Sequence, residues 1–243
     1  MNVDVDTDEK MLRYMAQHFV DFETIIRRSG ADKSTVERLI ATGAAPGVIY
    51  ARSDEGVWWG ALGAFMGQEN PTPMAGRHWY NPAVIWWLRR ALLKMADGIS
   101  EPLAAQNNRE VFVSEFVGLL RDIEDTALAY ASCFDNGDII DSQARVMGEQ
   151  EWRSWAQGAY AVCLRRFSAR SCIEKEALRA RIVAACEDKP GFSLGDAALF
   201  DKVEQLEALI LPFAPWERPN GTPGKAIDAP LARLKLGVEE PYG

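Results

Sequence analysis

The sequence predicts a mostly α-helical protein with one small β element. Apolar residues recur at helical spacing along most of the 243-residue chain. Val48-Ile49-Tyr50 and Val57-Trp58-Trp59 are β-prone, and the polar run Ser53-Asp54-Glu55-Gly56 between them suits a hairpin turn. Glycine, proline and alanine crowd the stretch from Gly60 to His78, and the tail from Pro215 is again rich in proline and glycine, so both read as irregular chain.

The elements follow in order. Leu12, Met15 and Phe19 give a first apolar stripe, with Thr7 and Asp8 available as caps. Phe22, Ile25 and Ile26 form a second short helix, entered at Asp21 and ended by Ser29-Gly30. Asp32 caps a third, whose inward residues are Val36, Leu39 and Ile40 and which stops at Gly43 and Pro46.

Asn81-Pro82 opens a helix to about Ala96 on Val84, Trp87, Leu88, Ala91, Leu92 and Met95, because proline in the first turn lacks a donor that would be unpaired anyway. Another helix begins near Arg109 and runs towards Tyr130. A further one spans Glu149 to Phe167, with Trp152, Trp155, Ala159, Val162 and Cys163 along one side. Ser171-Cys-Ile-Glu174 fits a capping box opening a helix through Ala185, and Asp196 caps the last long one, ending near Leu211.

The expected partition is a module over 1–60, a crossing over 61–80, a helical domain over 81–214, and an extended tail over 215–243 packed on the body.

Composition narrows the function classes. The apolar fraction of 48% and charged fraction of 26% are ordinary for a globular chain, and a core of this size needs no staples. Cys133, Cys163, Cys172 and Cys186 form no CxxC or Cys/His pair, which suits free thiols in a reducing compartment. The acidic start MNVDVDTDEK lacks the pattern of a signal peptide, and no long uncharged apolar run implies a membrane span, so a cytoplasmic setting is expected. There is no Walker loop, GxGxxG or GxSxG elbow; no metal site and no cofactor are expected.

Helix, turn, helix and hairpin over about Phe19 to Trp59 resemble the winged helix-turn-helix of MerR-type regulators and phage excisionases. Phe22-Glu-Thr-Ile-Ile, the turn Ser29-Gly30-Ala31, the Lys33–Ala41 helix and Gly43-Ala-Ala-Pro46 carry the likeness. The resemblance implies that the third helix meets the major groove, with Lys33, Ser34 and Arg38 as DNA contacts and Glu37 opposing the phosphates.

Charge bears on that reading. Phe22 to Arg52 holds five basic and three acidic residues, a thin surplus for counterion-driven binding, in a chain of net charge −8. The same module serves elsewhere as a packing or protein-docking unit, and both uses stay open.

A second likeness runs through Glu151-Trp-Arg-Ser-Trp-Ala-Gln-Gly-Ala-Tyr-Ala-Val-Cys-Leu164 and Ile173-Glu-Lys-Glu176. Trp152, Gly158, Tyr160, Val162, Cys163, Leu164 and Lys175 are similar to a bacterial family of unknown function, loosely labelled natural-product biosynthesis proteins. That label implies a genomic setting and assigns no catalytic residue.

Arg165, Arg166, Arg170 and Ser171, placed before a capped helix, are the anion-binding candidates; Glu174 and Glu176 are alternative partners for those arginines. Asp122 and Asp125 share a helical face beside Glu124, an incomplete version of the aspartate motif of all-α isoprenoid enzymes and equally a solvated helix end. Asp135 to Asp141 reads as a turn, and His78 beside Trp79 as a hydrogen-bonded structural histidine. Of the pairs Trp58-Trp59 and Trp86-Trp87, one member each is expected to point away from the main core, either buried where the two expected domains pack on each other or, alternatively, left to floor a ligand pocket or a homodimer interface.

The function expected is binding or regulation of a small-molecule or protein partner, with DNA the weaker option. The alternative is an accessory enzyme acting on an acidic small molecule.

Overall fold

The computed structural model describes residues 5–65, 67, 70, 72–160, 163–214 and 217–235, so Val162, Pro215 and the tail beyond 235 lie outside it. The chain divides into two compact units: unit 1 holds 1–112 and 149–165, unit 2 holds 113–148 and 166–243. The expected boundaries at 60 and 80 both fall inside unit 1.

Unit 1 begins with α1 (Val5–His18), which starts before the anticipated caps. Asp8 lies within the helix, where its carboxylate accepts two hydrogen bonds from Arg52 (2.9 and 2.8 Å) and one from Trp58 Nε1 (2.7 Å). Strand β1 (Val20–Asp21) leads into α2 (Phe22–Ser29), and α3 (Lys33–Ala41) follows. Both anticipated caps are in place: Asp21 accepts from Thr24 N at 2.9 Å and Asp32 from Thr35 N at 3.0 Å. Gly30 ends α2 in the left-handed region that a Cβ disfavours.

The hairpin pairs β2 (Val48–Arg52) with β3 (Trp58–Gly60). The described residues between 61 and 80 are more regular than the composition suggests, containing α4 (Ala61–Phe65) and β4 (Arg77–Tyr80). Strand β4 inserts between β1 and β2, giving the antiparallel order β1-β4-β2-β3. Trp58 and Trp59 are both buried within unit 1, since the sheet is covered on both faces; Trp58 stacks on Trp79 at 5.2 Å.

Helix α5 (Ala83–Ala96) matches its predicted span. Here the expectation for paired tryptophans holds: Trp87 is buried and Trp86 is 56% exposed. Helix α6 (Glu101–Leu119) starts earlier than expected and stops well short of Tyr130.

The predicted 149–167 helix is displaced. Helix α8 spans Asp141–Ala156, and the chain then turns at Gly158 (φ +80°). An added Cβ there would run into the Val48 carbonyl, and one on Gly47 into the Ala156 carbonyl. These two glycines let 156–158 lie against the start of β2. Trp152 packs on Trp87 (4.8 Å) and Phe112 (5.4 Å), while Asn108 donates to the Ala44 and Trp87 carbonyls.

Unit 2 contains α7 (Thr126–Ala129), a 3₁₀ turn, and the hairpin β5 (Phe134–Asp135) and β6 (Asp138–Ile139). Asn136-Gly137 turns that hairpin with both φ angles positive, confirming the turn read from sequence. Helix α9 (Ala169–Cys186) is capped by Ser168, three residues before the expected Ser171, because Ser168 Oγ reaches the Ser171 amide. Helix α10 (Asp196–Leu209) is entered at Gly195.

The described part of the tail is helical rather than extended: a π-type turn over Gly224–Asp228 runs into α11 (Ala229–Arg233). Pro223 and Pro230 stand at helix starts, where the missing donor costs nothing. Arg218 grips Asp228 through two hydrogen bonds, and Arg233 donates to the Ala185 and Cys186 carbonyls at the end of α9.

Candidate functional site

On α3, the proposed DNA contacts are engaged within the chain. Arg38 donates to Glu101 (3.0 Å), to Ser34 Oγ and to Thr35 Oγ1. Ser34 donates to Asp32 at 2.6 Å, and Lys33 pairs with Glu37 at 3.8 Å. The Ser34 hydroxyl, then the Thr35 amide and hydroxyl, hold the Asp32 carboxyl far below the usual carboxylate range. With Arg52 on Asp8, three of the five cations in this stretch face carboxylates.

The arginine cluster is also divided. Arg165 belongs to unit 1 and Arg166 to unit 2, both exposed. Desolvation lowers the His18 pKa, and the Arg165 charge lowers it further. Arg170 pairs with Glu174 at 3.3 Å, and Ser171 is bound by Ser168 through both its amide and its hydroxyl. The first turn of α9 therefore already has an internal partner. His78 Nε2 lies 2.8 Å from the Met74 carbonyl, as a structural histidine would.

What the structure does assemble is a cleft in unit 2, with a volume of about 470 Å³. Helix α9 contributes Glu174, Ala177 and Leu178, and α10 contributes Lys202, Gln205, Ala208 and Leu209. Ile123, Glu124 and Asp125 complete the wall just before α7. Asp125 takes a left-handed conformation (φ 60°) as the chain reverses after α6, and Thr126 secures the reversal by donating to the Leu120 carbonyl at 2.9 Å.

The cleft has an apolar floor and a charged rim. Asp125 faces Arg181 Nε at 3.9 Å, too far for a hydrogen bond, and that buried Nε has no acceptor among the described residues. The Arg181 guanidinium lies over the Phe192 ring at 5.1 Å. Elsewhere on α9, Glu176 lies between Lys175 and Arg179. Burial alone would raise the Glu176 carboxyl, but the two cations and their hydrogen bonds bring it down to about 2.

Of the charges singled out from sequence, Glu124, Asp125 and Glu174 line this depression, whereas Arg165, Arg166, Arg170 and Ser171 do not. Lys202 and Leu178 had no signal. They lie on helices read only for their buried faces, where Leu199, Val203 and Leu206 carry the period on α10.

Unit 1 has a second depression, a groove of about 410 Å³. Ala105, Gln106 and Arg109 face Glu149, Trp152 and Arg153 across it, and Thr42-Gly43 close one end. Arg109 and Glu149 pair at 3.4 Å, and Trp152 Nε1 donates to the Gly43 carbonyl.

Among the described residues, no group of three or more His, Cys, Asp or Glu side chains could hold a metal ion, and no helix is long and apolar enough to cross a membrane. The class defined is a mostly helical protein with a small antiparallel sheet and ligand-sized clefts. The chain belongs to a family of unknown function (DUF6058), whose model matches residues 108–235. All the residues lining the unit 2 cleft fall within that span. No curated protein and no solved structure matches the chain.

Proposed function

We propose that this is a binding protein for a small amphipathic molecule, with the unit 2 cleft as its ligand site. One observation carries the reading: a depression of about 470 Å³ in which an apolar floor is ringed by Glu124, Asp125, Lys202 and Gln205. Small-molecule sites have this volume and this mixture of apolar lining with a few polar groups.

Ligand-observed NMR on a panel of metabolites tests it. Hits that vanish in Leu178→Trp, which fills the floor, support the site. A panel whose hits all persist in that variant overturns it.

The helix-turn-helix-like module acts as a packing and docking unit in this reading. The order of helices and the β1-β4-β2 arrangement support the winged resemblance, but Lys33 and Arg38 face Glu37 and Glu101. A gel shift with genomic DNA at low salt should show the same negligible retention for wild type and for Lys33→Ala/Arg38→Ala. Strong, salt-sensitive retention lost in the double variant would restore DNA reading.

The alternative of an enzyme handling an acidic molecule draws support from Arg109, Arg153 and Gln106 in the unit 1 groove. The four free thiols, three of them buried, support a reducing compartment.

A further inference from the structure

We infer that the unit 2 cleft is built for a zwitterion with an apolar body, of the chemical class of an apolar α-amino acid. This rests on the cleft being the ligand site.

The argument starts from unmatched charges of both signs around one apolar floor. Glu124 has no ion pair or hydrogen bond among the described residues, and Asp125 has only the distant Arg181. Lys202 is partly buried and likewise lacks a carboxylate partner among the described residues. Glu174 is different, since Arg170 already neutralises it.

Lys202, half-buried beside apolar surface, loses hydration without recovering it from a partner, while the exposed Glu124 carboxylate stands open to a ligand at the rim. A ligand ammonium on Glu124 and Asp125, with a ligand carboxylate on Lys202, supplies the missing partners of both signs. Ile123, Ala177, Leu178, Ala208 and Leu209 then receive the side chain. A simple amine would leave Lys202 unmatched, and a simple acid would face the unpaired Glu124 carboxylate with nothing to match it. Only the zwitterion satisfies both ends, and the volume of about 470 Å³ admits a body as large as leucine or an aromatic side chain.

The test is calorimetry on the full chain with three probes: L-leucine, isopentylamine and 4-methylpentanoate. L-Leucine is expected to bind at least about tenfold tighter than either half-probe. Glu124→Gln should weaken leucine at least about tenfold, while Lys202→Met should weaken leucine and leave isopentylamine unchanged. Both positions are at the cleft rim, and a melting temperature within about 2 °C of wild type verifies folding.

If isopentylamine binds as well as leucine, or if Lys202→Met leaves leucine unaffected, the zwitterion inference falls while the cleft survives as a site. If none of the three binds, the inference falls, and the NMR panel with Leu178→Trp decides separately whether the cleft binds anything.

Discussion

Single residues carry much of what makes this chain fold one way. Gly158 combines a left-handed backbone with a close approach to the Val48 carbonyl, so Gly158→Ala has both strain and a clash to relieve. A loss of about 2 kcal/mol or more is expected by urea unfolding. Asn108 is fully buried and is the donor to two buried carbonyls, so Asn108→Ala should cost roughly 1–3 kcal/mol by the same measurement. Glu176 makes a prediction about pH. Its folded pKa of about 2 lies below the ordinary 4.5, so its stabilisation is complete above about pH 4.5 and is lost as pH falls towards 2. Between pH 5 and pH 3, wild type should lose on the order of 1–2 kcal/mol more than Glu176→Gln.

At the scale of elements, local chemistry was readable wherever a side chain acts on its own backbone. Asp21 and Asp32 cap α2 and α3, Asn136-Gly137 turns the small hairpin, and Asn81-Pro82 opens α5, all visible in the sequence. The end of α8 was not, because apolar residues continue at helical spacing through Ala159 and Cys163 while the Gly158 turn interrupts the helix. The start of α9 was missed by three residues because Ser168 and Ser171 both look like caps, and only geometry selects Ser168. Ser168→Ala should therefore cost about 1 kcal/mol in thermal or urea unfolding, the usual loss of an N-cap. The cleft was half legible: Glu124, Asp125 and Glu174 stood out as charges, but their convergence depends on α9 and α10, which no local pattern aligns.

For the whole molecule, charge and chain order qualify each other. The acidity that argues against nucleic acid is concentrated in unit 2, with 19 acidic and 13 basic residues, against 16 and 14 in unit 1. A partition drawn in sequence order could not foresee that 149–165 belongs with the N-terminal residues, since nothing local in that stretch names its partners. The family match over 108–235 includes this segment without the residues that cover it. Expressed alone, 108–235 should bind a hydrophobic dye and aggregate, whereas the full chain should not. The cause is exposure of Trp152, Trp155 and Leu164, whose partners Trp87, Gly47 and Asn81 are missing.

That returning segment also sets a schedule for synthesis. The first 112 residues cannot complete their core until Arg165 has left the ribosome, because Trp152 and Trp155 arrive late. At about 5–20 residues per second, the nascent module waits roughly 3–10 s with its tryptophan-lined face uncovered, a window in which a chaperone has something to hold.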